Sequence, residues 1–142
     1  MQRPPASVLF ACNYNAVRSP MAEGIAKHLY GHGLFVDSVG VRRGDLDPFV
    51  IVVMEEIGID VSGHRAKTFD DLEDDSFDLI ISLTPQAQHA AVELTRHLAA
   101  DVEYWATYDP TLADGSREVM LQAYREVRDS LFDSIRQRFR RR

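Results

Sequence analysis

Val8-Leu9-Phe10-Ala11-Cys12-Asn13-Tyr14-Asn15-Ala16-Val17-Arg18-Ser19-Pro20 begins as an apolar strand, crosses a polar loop and ends at a helix start. Val8–Ala11 are consecutive apolar residues stopped by a loop, the pattern of a strand buried on both faces. Ser19 suits an N-cap and Pro20 the first helical position, so the spacing predicts a helix from Pro20. Cys12, the only cysteine of the chain, falls where the strand ends, and Arg18 falls where the helix begins. A loop closed onto a helix N-terminus aims backbone N–H groups at one point, where the helix dipole favours negative charge. Arg18 adds a planar, two-pronged donor to that cradle. An oxyanion the size of phosphate fits it, with Cys12 beneath as nucleophile. Helix N-termini and cations lower a cysteine pKa from about 8.5 to roughly 3.5–7.5, which makes such a sulfur reactive at neutral pH. Ser19 can donate its hydroxyl to the thiolate or to the leaving sulfur. A cysteine at a strand end is otherwise a small hydrophobe. The strand before, the helix after, and Asn15, Arg18 and Ser19 between them favour the nucleophile.

The stretch Val8–Glu23 resembles the phosphate-binding loop of the low-molecular-weight protein tyrosine phosphatases and their arsenate-reductase relatives. Val36–Gly40 is similar to the second strand of that family and Phe77–Ser82 to its third. Tyr108-Asp109-Pro110 matches its acid loop, so the resemblance covers nearly the whole chain. It implies one α/β domain over residues 1–142: three layers, with a four-stranded parallel sheet in the order 2-1-3-4 and helices on both faces. The Cys12 loop would then lie at the switch point of the sheet. The resemblance also implies phosphate binding by Asn13, Tyr14, Asn15, Ala16, Val17, Arg18 and Ser19, with Asn15 bracing the loop. Cys12, Arg18 and Asp109 are the implied catalytic residues, and neither a metal nor another cofactor is required.

Away from the loop, alternating strands and helices predict a parallel sheet with right-handed crossovers. The pattern gives helices over Pro20–Tyr30, Pro48–Ile57 and Pro85–Ala99, and strands over Leu34–Val39, Phe77–Ser82 and Val102–Trp105. An amphipathic helix runs from about Ser116 to the end, with Met120, Tyr124, Val127, Leu131 and Ile135 on its apolar face. Asp47 and Pro48 read as the cap and first residue of the second helix, with Gly58 as its stop. That leaves Asp109-Pro110, close behind the fourth strand, as the pair placed on the rim beside Cys12. Asp109 would protonate the leaving oxygen and then activate water. His28 and His32 have helical metal-pair spacing, but His32 lies between two glycines and no third ligand is evident. Asp70, Asp71, Glu73, Asp74 and Asp75 read as a solvated turn or short helix, and the segment with His64, Arg65 and Lys67 as an irregular connection.

Composition narrows the function classes. The chain has 142 residues, 45% hydrophobic and 27% charged, as expected of one soluble domain. Its net charge of −6 argues against a nucleic-acid partner. Arg136, Arg138, Arg140, Arg141 and Arg142 form a local basic tail suited to a helix C-terminus. Phe49–Met54, the longest apolar run, is too short to span a bilayer. No signal-peptide core precedes the first strand, and one cysteine permits no internal disulfide, so the expected location is cytoplasmic. The expected partners are inorganic phosphate or related oxyanions and a phosphorylated protein or small aryl phosphate; oligomeric state does not follow from the sequence.

Several positions bear on which activity the resemblance implies. Val17 stands where many family members carry a second cysteine. Val41-Arg42-Arg43-Gly44 and Thr111-Leu112 stand where eukaryotic-type members carry pocket aromatics, leaving Tyr14 and Tyr108 as candidate walls. Trp105–Pro110, Gly115-Ser116 and Tyr124–Asp129 resemble the arsenate-reductase branch. Reductases that relay electrons internally use three cysteines, so a reductase here would need an external thiol of glutathione type. The expectation is therefore a cysteine-dependent phosphomonoester hydrolase, a protein tyrosine phosphatase, with a thiol-coupled arsenate reductase as the alternative and a non-catalytic oxyanion sensor as a third reading.

Overall fold

The computed structural model describes residues 4–74 and 76–140. Residues 1–3, Asp75, Arg141 and Arg142 lie outside the described residues. Four parallel strands, β1 (Ser7–Cys12), β2 (Phe35–Gly40), β3 (Leu79–Ser82) and β4 (Asp101–Tyr104), form one sheet in the order β2-β1-β3-β4. The helices are α1 (Arg18–Tyr30), α2 (Pro48–Glu55), α3 (Pro85–Leu94) and α4 (Arg117–Phe139). Cys12 pairs in register with Gly40, Ala11 with Ser82, and Ser82 with Tyr104. The carboxyl ends of all four strands therefore open onto one rim. The chain leaves β1 toward β2 and later returns to β3, so the order reverses at β1, where the Cys12 loop emerges.

Strand alternation assigns the two faces. Val8, Phe10 and Cys12 join Val36, Leu79 and Ile81 in a core shared with α1, α2 and α4. Leu9, Ala11, Val39 and Ile80 face the other way, against Ala87 and Ala91 of α3. Val8 through Ala11 are wholly buried, as the apolar run requires of a central strand. Among the described residues, no helix is long and apolar enough to cross a membrane.

The helix ends correct the sequence reading. α1 begins at Arg18 after an N-cap Val17 with no side-chain cap, so Ser19 is not the cap and Pro20 is not the first helical residue. Pro20 is tolerated there because its missing N–H is one of the first-turn donors that lack an intrahelical acceptor. α2 has the expected cap, with Asp47 Oδ1 accepting from Phe49 N at 2.9 Å and Pro48 at the first position. Its apolar, β-branched sequence holds as a helix because Val50, Val53 and Met54 are fully buried. It ends at Glu55 rather than Ile57, and Gly58 turns the chain with φ of +77°, a conformation that favours glycine.

α3 ends at Leu94, short of the expected Ala99. Only Ala87 and Ala91 of it are fully buried, and Thr95 turns its hydroxyl back to Val92 O at 3.0 Å, so little holds a further turn. Along α4 the buried stripe is Leu121, Tyr124, Val127, Leu131, Ile135 and Phe139, with Leu121 in the place expected of Met120. Arg128 Nη1 donates to Val53 O and to Glu56 Oε1, each at 2.7 Å, closing the carboxyl end of α2. Arg138, from the basic tail, pairs with Glu103 of β4 at 2.8 Å. Of the acidic cluster, Asp70 and Asp71 lie in a 3-10 turn over Phe69–Asp71, with Thr68 and Asp71 capping each other.

Candidate active site

The loop after β1 is shaped by where its carbonyls go. Cys12 O accepts from Val41 N at 3.0 Å, Asn13 O from Arg42 N at 2.8 Å, and Tyr14 O from Gly44 N at 2.9 Å. Ala16 O accepts from Asp47 N at 3.0 Å, and Asn15 O lies 3.1 Å from His64 Nε2. A planar peptide points its N–H opposite its C=O. Tying the carbonyls of Asn13 through Ala16 outward therefore turns the N–H groups of Tyr14, Asn15, Ala16 and Val17 inward. None of these four donates to a protein acceptor among the described residues. They converge above the start of α1, whose dipole adds to their positive field.

Asn15 fixes this shape. It is wholly buried, with φ of +55°, a left-handed conformation that asparagine tolerates better than most residues. Its Nδ2 donates to Ser19 Oγ at 2.8 Å and to Ser38 Oγ at 2.9 Å. Its Oδ1 accepts from Lys67 N at 3.0 Å and lies 3.1 Å from His64 Nε2. Ser38 Oγ donates in turn to Glu23 Oε1 at 2.5 Å, and His64 Nδ1 lies 3.7 Å from that same oxygen. Gly40 has no room for a side chain. A Cβ there would lie 2.5 Å from Arg42 O, 2.6 Å from Asn15 N and 2.7 Å from Tyr14 C.

Cys12 forms the floor of the loop, 2% exposed. Its Sγ lies 2.9 Å from Ser19 Oγ, and Ser19 N donates to it at 3.4 Å. Because Asn15 already donates to Ser19 Oγ, the serine proton is free for the sulfur or for Val39 O at 3.3 Å. Arg18 is buried and runs toward the β4 side, where Nη1 donates to Thr107 O at 3.1 Å. Its Nη2 lies 3.9 Å from Asp109 Oδ2. The other carboxylate oxygen of Asp109 accepts from Thr111 N at 3.0 Å and Thr111 Oγ1 at 2.6 Å, capping the turn Pro110–Leu112. One oxygen of Asp109 is thus anchored and the other faces Arg18.

Hydrogen bonds link Cys12 to Ser19 and Ser19 to Asn15, while Arg18, the chain neighbour of Ser19, reaches Thr107 and Asp109. Asn13 is held at Oδ1 by Thr84 Oγ1 at 2.7 Å, while Thr84 also caps α3. Tyr14 and Tyr108, the candidate walls, are 54% and 57% exposed. Sequence reading did not assign Ser38, His64, Thr84, Thr107 or Tyr124 to the site. Tyr124 OH donates to Asp47 Oδ2 at 2.6 Å, and burial, then this carboxylate, push its pKa well above the ordinary tyrosine value. Asp47 is therefore committed to capping, to Ala16 and to Tyr124, which leaves Asp109 as the rim carboxylate beside Arg18. Among the described residues no group of three or more His, Cys, Asp or Glu side chains could hold a metal, and His28 and His32 belong to no such cluster.

The family model for low molecular weight phosphotyrosine protein phosphatase matches residues 7–142. A glutaredoxin arsenate reductase of Synechocystis is 33% identical over 129 residues, covering 90% of this chain and 92% of that protein. An arsenate reductase solved in a phosphate-binding state is 28% identical, with a TM-score of 0.74, covering 95% of this chain and 97% of that one. A low molecular weight protein tyrosine phosphatase from T. tengcongensis is 25% identical, with a TM-score of 0.78, covering 96% and 99%.

Proposed function

The chain belongs to the low molecular weight phosphotyrosine protein phosphatase family, and from that premise we propose that it hydrolyses phosphomonoesters, as a protein tyrosine phosphatase, through a cysteinyl-phosphate intermediate. The observation that carries the reading is the run of four N–H groups, Tyr14 to Val17, left without a protein acceptor among the described residues between buried Cys12 and buried Arg18. The phosphate of the substrate sits on Tyr14–Val17 N–H and the Arg18 guanidinium. Cys12 attacks phosphorus in line, and the P–O bond to the leaving group breaks as Asp109 delivers its proton. Asp109, now a carboxylate, takes a proton from water. That water attacks phosphorus and returns the thiolate, with Ser19 donating to the sulfur as it departs. Preorganised donors on the equatorial oxygens stabilise the charge of both transition states. Substrates are a phosphorylated protein or a small aryl phosphate, and inorganic phosphate is product and ligand.

A second reading is favoured by the Synechocystis relative, a glutaredoxin arsenate reductase. Arsenate would occupy the same cradle and Cys12 would displace a hydroxyl as water. An external thiol would then attack the Cys12 sulfur, forming a mixed disulfide while the As–S electron pair leaves with arsenite. Assay of an aryl phosphate between pH 5 and 8 separates the two. Turnover abolished in Cys12→Ser and lowered about 10²–10⁴-fold in Asp109→Asn, the range for a lost acid–base group, is the expected result. Absence of turnover, with arsenate reduced in the presence of glutathione and glutaredoxin by the wild type but not by Cys12→Ser, would replace it with the reductase.

A further inference from the structure

Building on the phosphatase reading, we infer that the segment Val41–Gly44 is a recognition rim that selects phosphorylated peptides carrying acidic residues next to the phosphate, with Arg42 as its main contact. Backbone hydrogen bonds from Val41, Arg42 and Gly44 to Cys12, Asn13 and Tyr14 lay this segment directly along the phosphate-binding loop. The fit is tight. Built Cβ atoms would lie 2.5 Å from Arg42 O at Gly40 and 3.1 Å from Tyr14 Cβ at Gly44. The backbone of the segment is therefore held against the phosphate-binding loop.

The charges on this rim point one way. Arg42 is exposed, and its guanidinium has no ion-pair or hydrogen-bond partner among the described residues. Arg43 lies beside it with a side chain 66% exposed, and its only carboxylate neighbour among the described residues is Asp71 at 3.8 Å. Half-buried Arg125 is engaged with Glu56 and Glu118 and Arg138 with Glu103, while Arg65 and Arg140, exposed and without an ion pair among the described residues, lie outside the segment bonded to the phosphate-binding loop. Two adjacent, weakly engaged guanidinium groups at the mouth of the site stand out in a chain of net charge −6. Asp45, also exposed, is the acidic residue of the same loop. Across the mouth lie the carboxylate of Asp109 and exposed Tyr108 and Leu112. A substrate chain lying from Tyr108 across to Arg42 would meet aromatic surface first and a forked cation second. A carboxylate beside the phosphorylated residue matches that fork in shape and charge.

The test compares three phosphotyrosine peptides that differ only in flanking Glu, Gln or Lys, for wild type and Arg42→Glu. Turnover is normalised to an aryl phosphate, and binding is measured separately by anisotropy on the Cys12→Ser background. The wild type is expected to prefer the Glu peptide over the Gln peptide by about 3- to 10-fold, the scale of one or two exposed charge pairs. Arg42→Glu should remove or invert that order, and raising salt should shrink the wild-type preference. An unchanged order, or an equal fall for all three peptides, would overturn the inference. Peptide selectivity in binding with no aryl phosphate turnover would leave the rim standing and sink the phosphatase reading. Aryl phosphate turnover without Arg42-dependent selectivity would do the opposite.

Discussion

At the scale of single residues, Asn15 does more to shape the site than Cys12 does. All of its side-chain polar capacity is used inside the protein, and its backbone occupies the left-handed region. Asn15→Ala should therefore cost about 2–4 kcal/mol of stability, one or two buried polar groups left unsatisfied, read from the denaturant midpoint. Asn15→Gly accepts the same φ but makes none of the bonds. If bonding rather than backbone strain sets the shape, both variants lose phosphate affinity alike, measured by calorimetry; restored affinity in the glycine variant would show that φ alone matters. In the sequence, the places of Cys12 at a strand end and Arg18 at a helix start were legible because a strand, a loop and a helix start surround them. The bracing role of Asn15 came only from resemblance, since His64 and Lys67 stand 49 and 52 residues away and carry no local signal. Ser19 misled because it looks like a cap, yet its hydroxyl is drawn to the sulfur and the buried amide of Asn15 instead.

At the scale of elements, strands were easier to read than helix ends. Apolar runs marked every strand to within two residues, and sheet order followed from resemblance rather than pattern. The end of α3 was illegible because Leu98 continues an apolar spacing, although the helix stops at Leu94, where the Thr95 hydroxyl turns back to Val92 O. The joint between α2 and α4 was also invisible, because Glu56, Arg125 and Arg128 meet only after folding. There the Arg125 hydrogen bonds, opposed by partial burial and aided by Arg128, hold Glu56 down to about 2 from an ordinary value near 4.5. A carboxylate depressed in the folded state contributes stability above its unfolded pKa and loses it as pH falls toward the folded one. Stability should thus fall between about pH 5 and pH 2, and Glu56→Gln should flatten part of that slope in urea titrations. Screening at a side chain one-third exposed limits its share to about 1 kcal/mol at neutral pH. An identical slope in the variant would show that other carboxylates carry the acid sensitivity.

At the scale of the whole molecule, the site couples to global stability because it joins β1, β2, α1 and the β4 loop. An oxyanion seated there binds only the folded chain. Phosphate at a hundred times its dissociation constant should therefore stabilise by about 2.7 kcal/mol and raise Tm by several degrees. Arg18→Ala should abolish that shift, read by scanning calorimetry, while a shift that persists would place phosphate elsewhere. The polypeptide also contains a single sulfhydryl, and it is the 2%-exposed floor of this loop. Every mass adduct of a thiol reagent on the intact protein is consequently an adduct of that one atom. Alkylation thus counts accessible sites molecule by molecule, and protection by phosphate turns the same spectrum into an occupancy gauge, with no engineered label and no background to subtract.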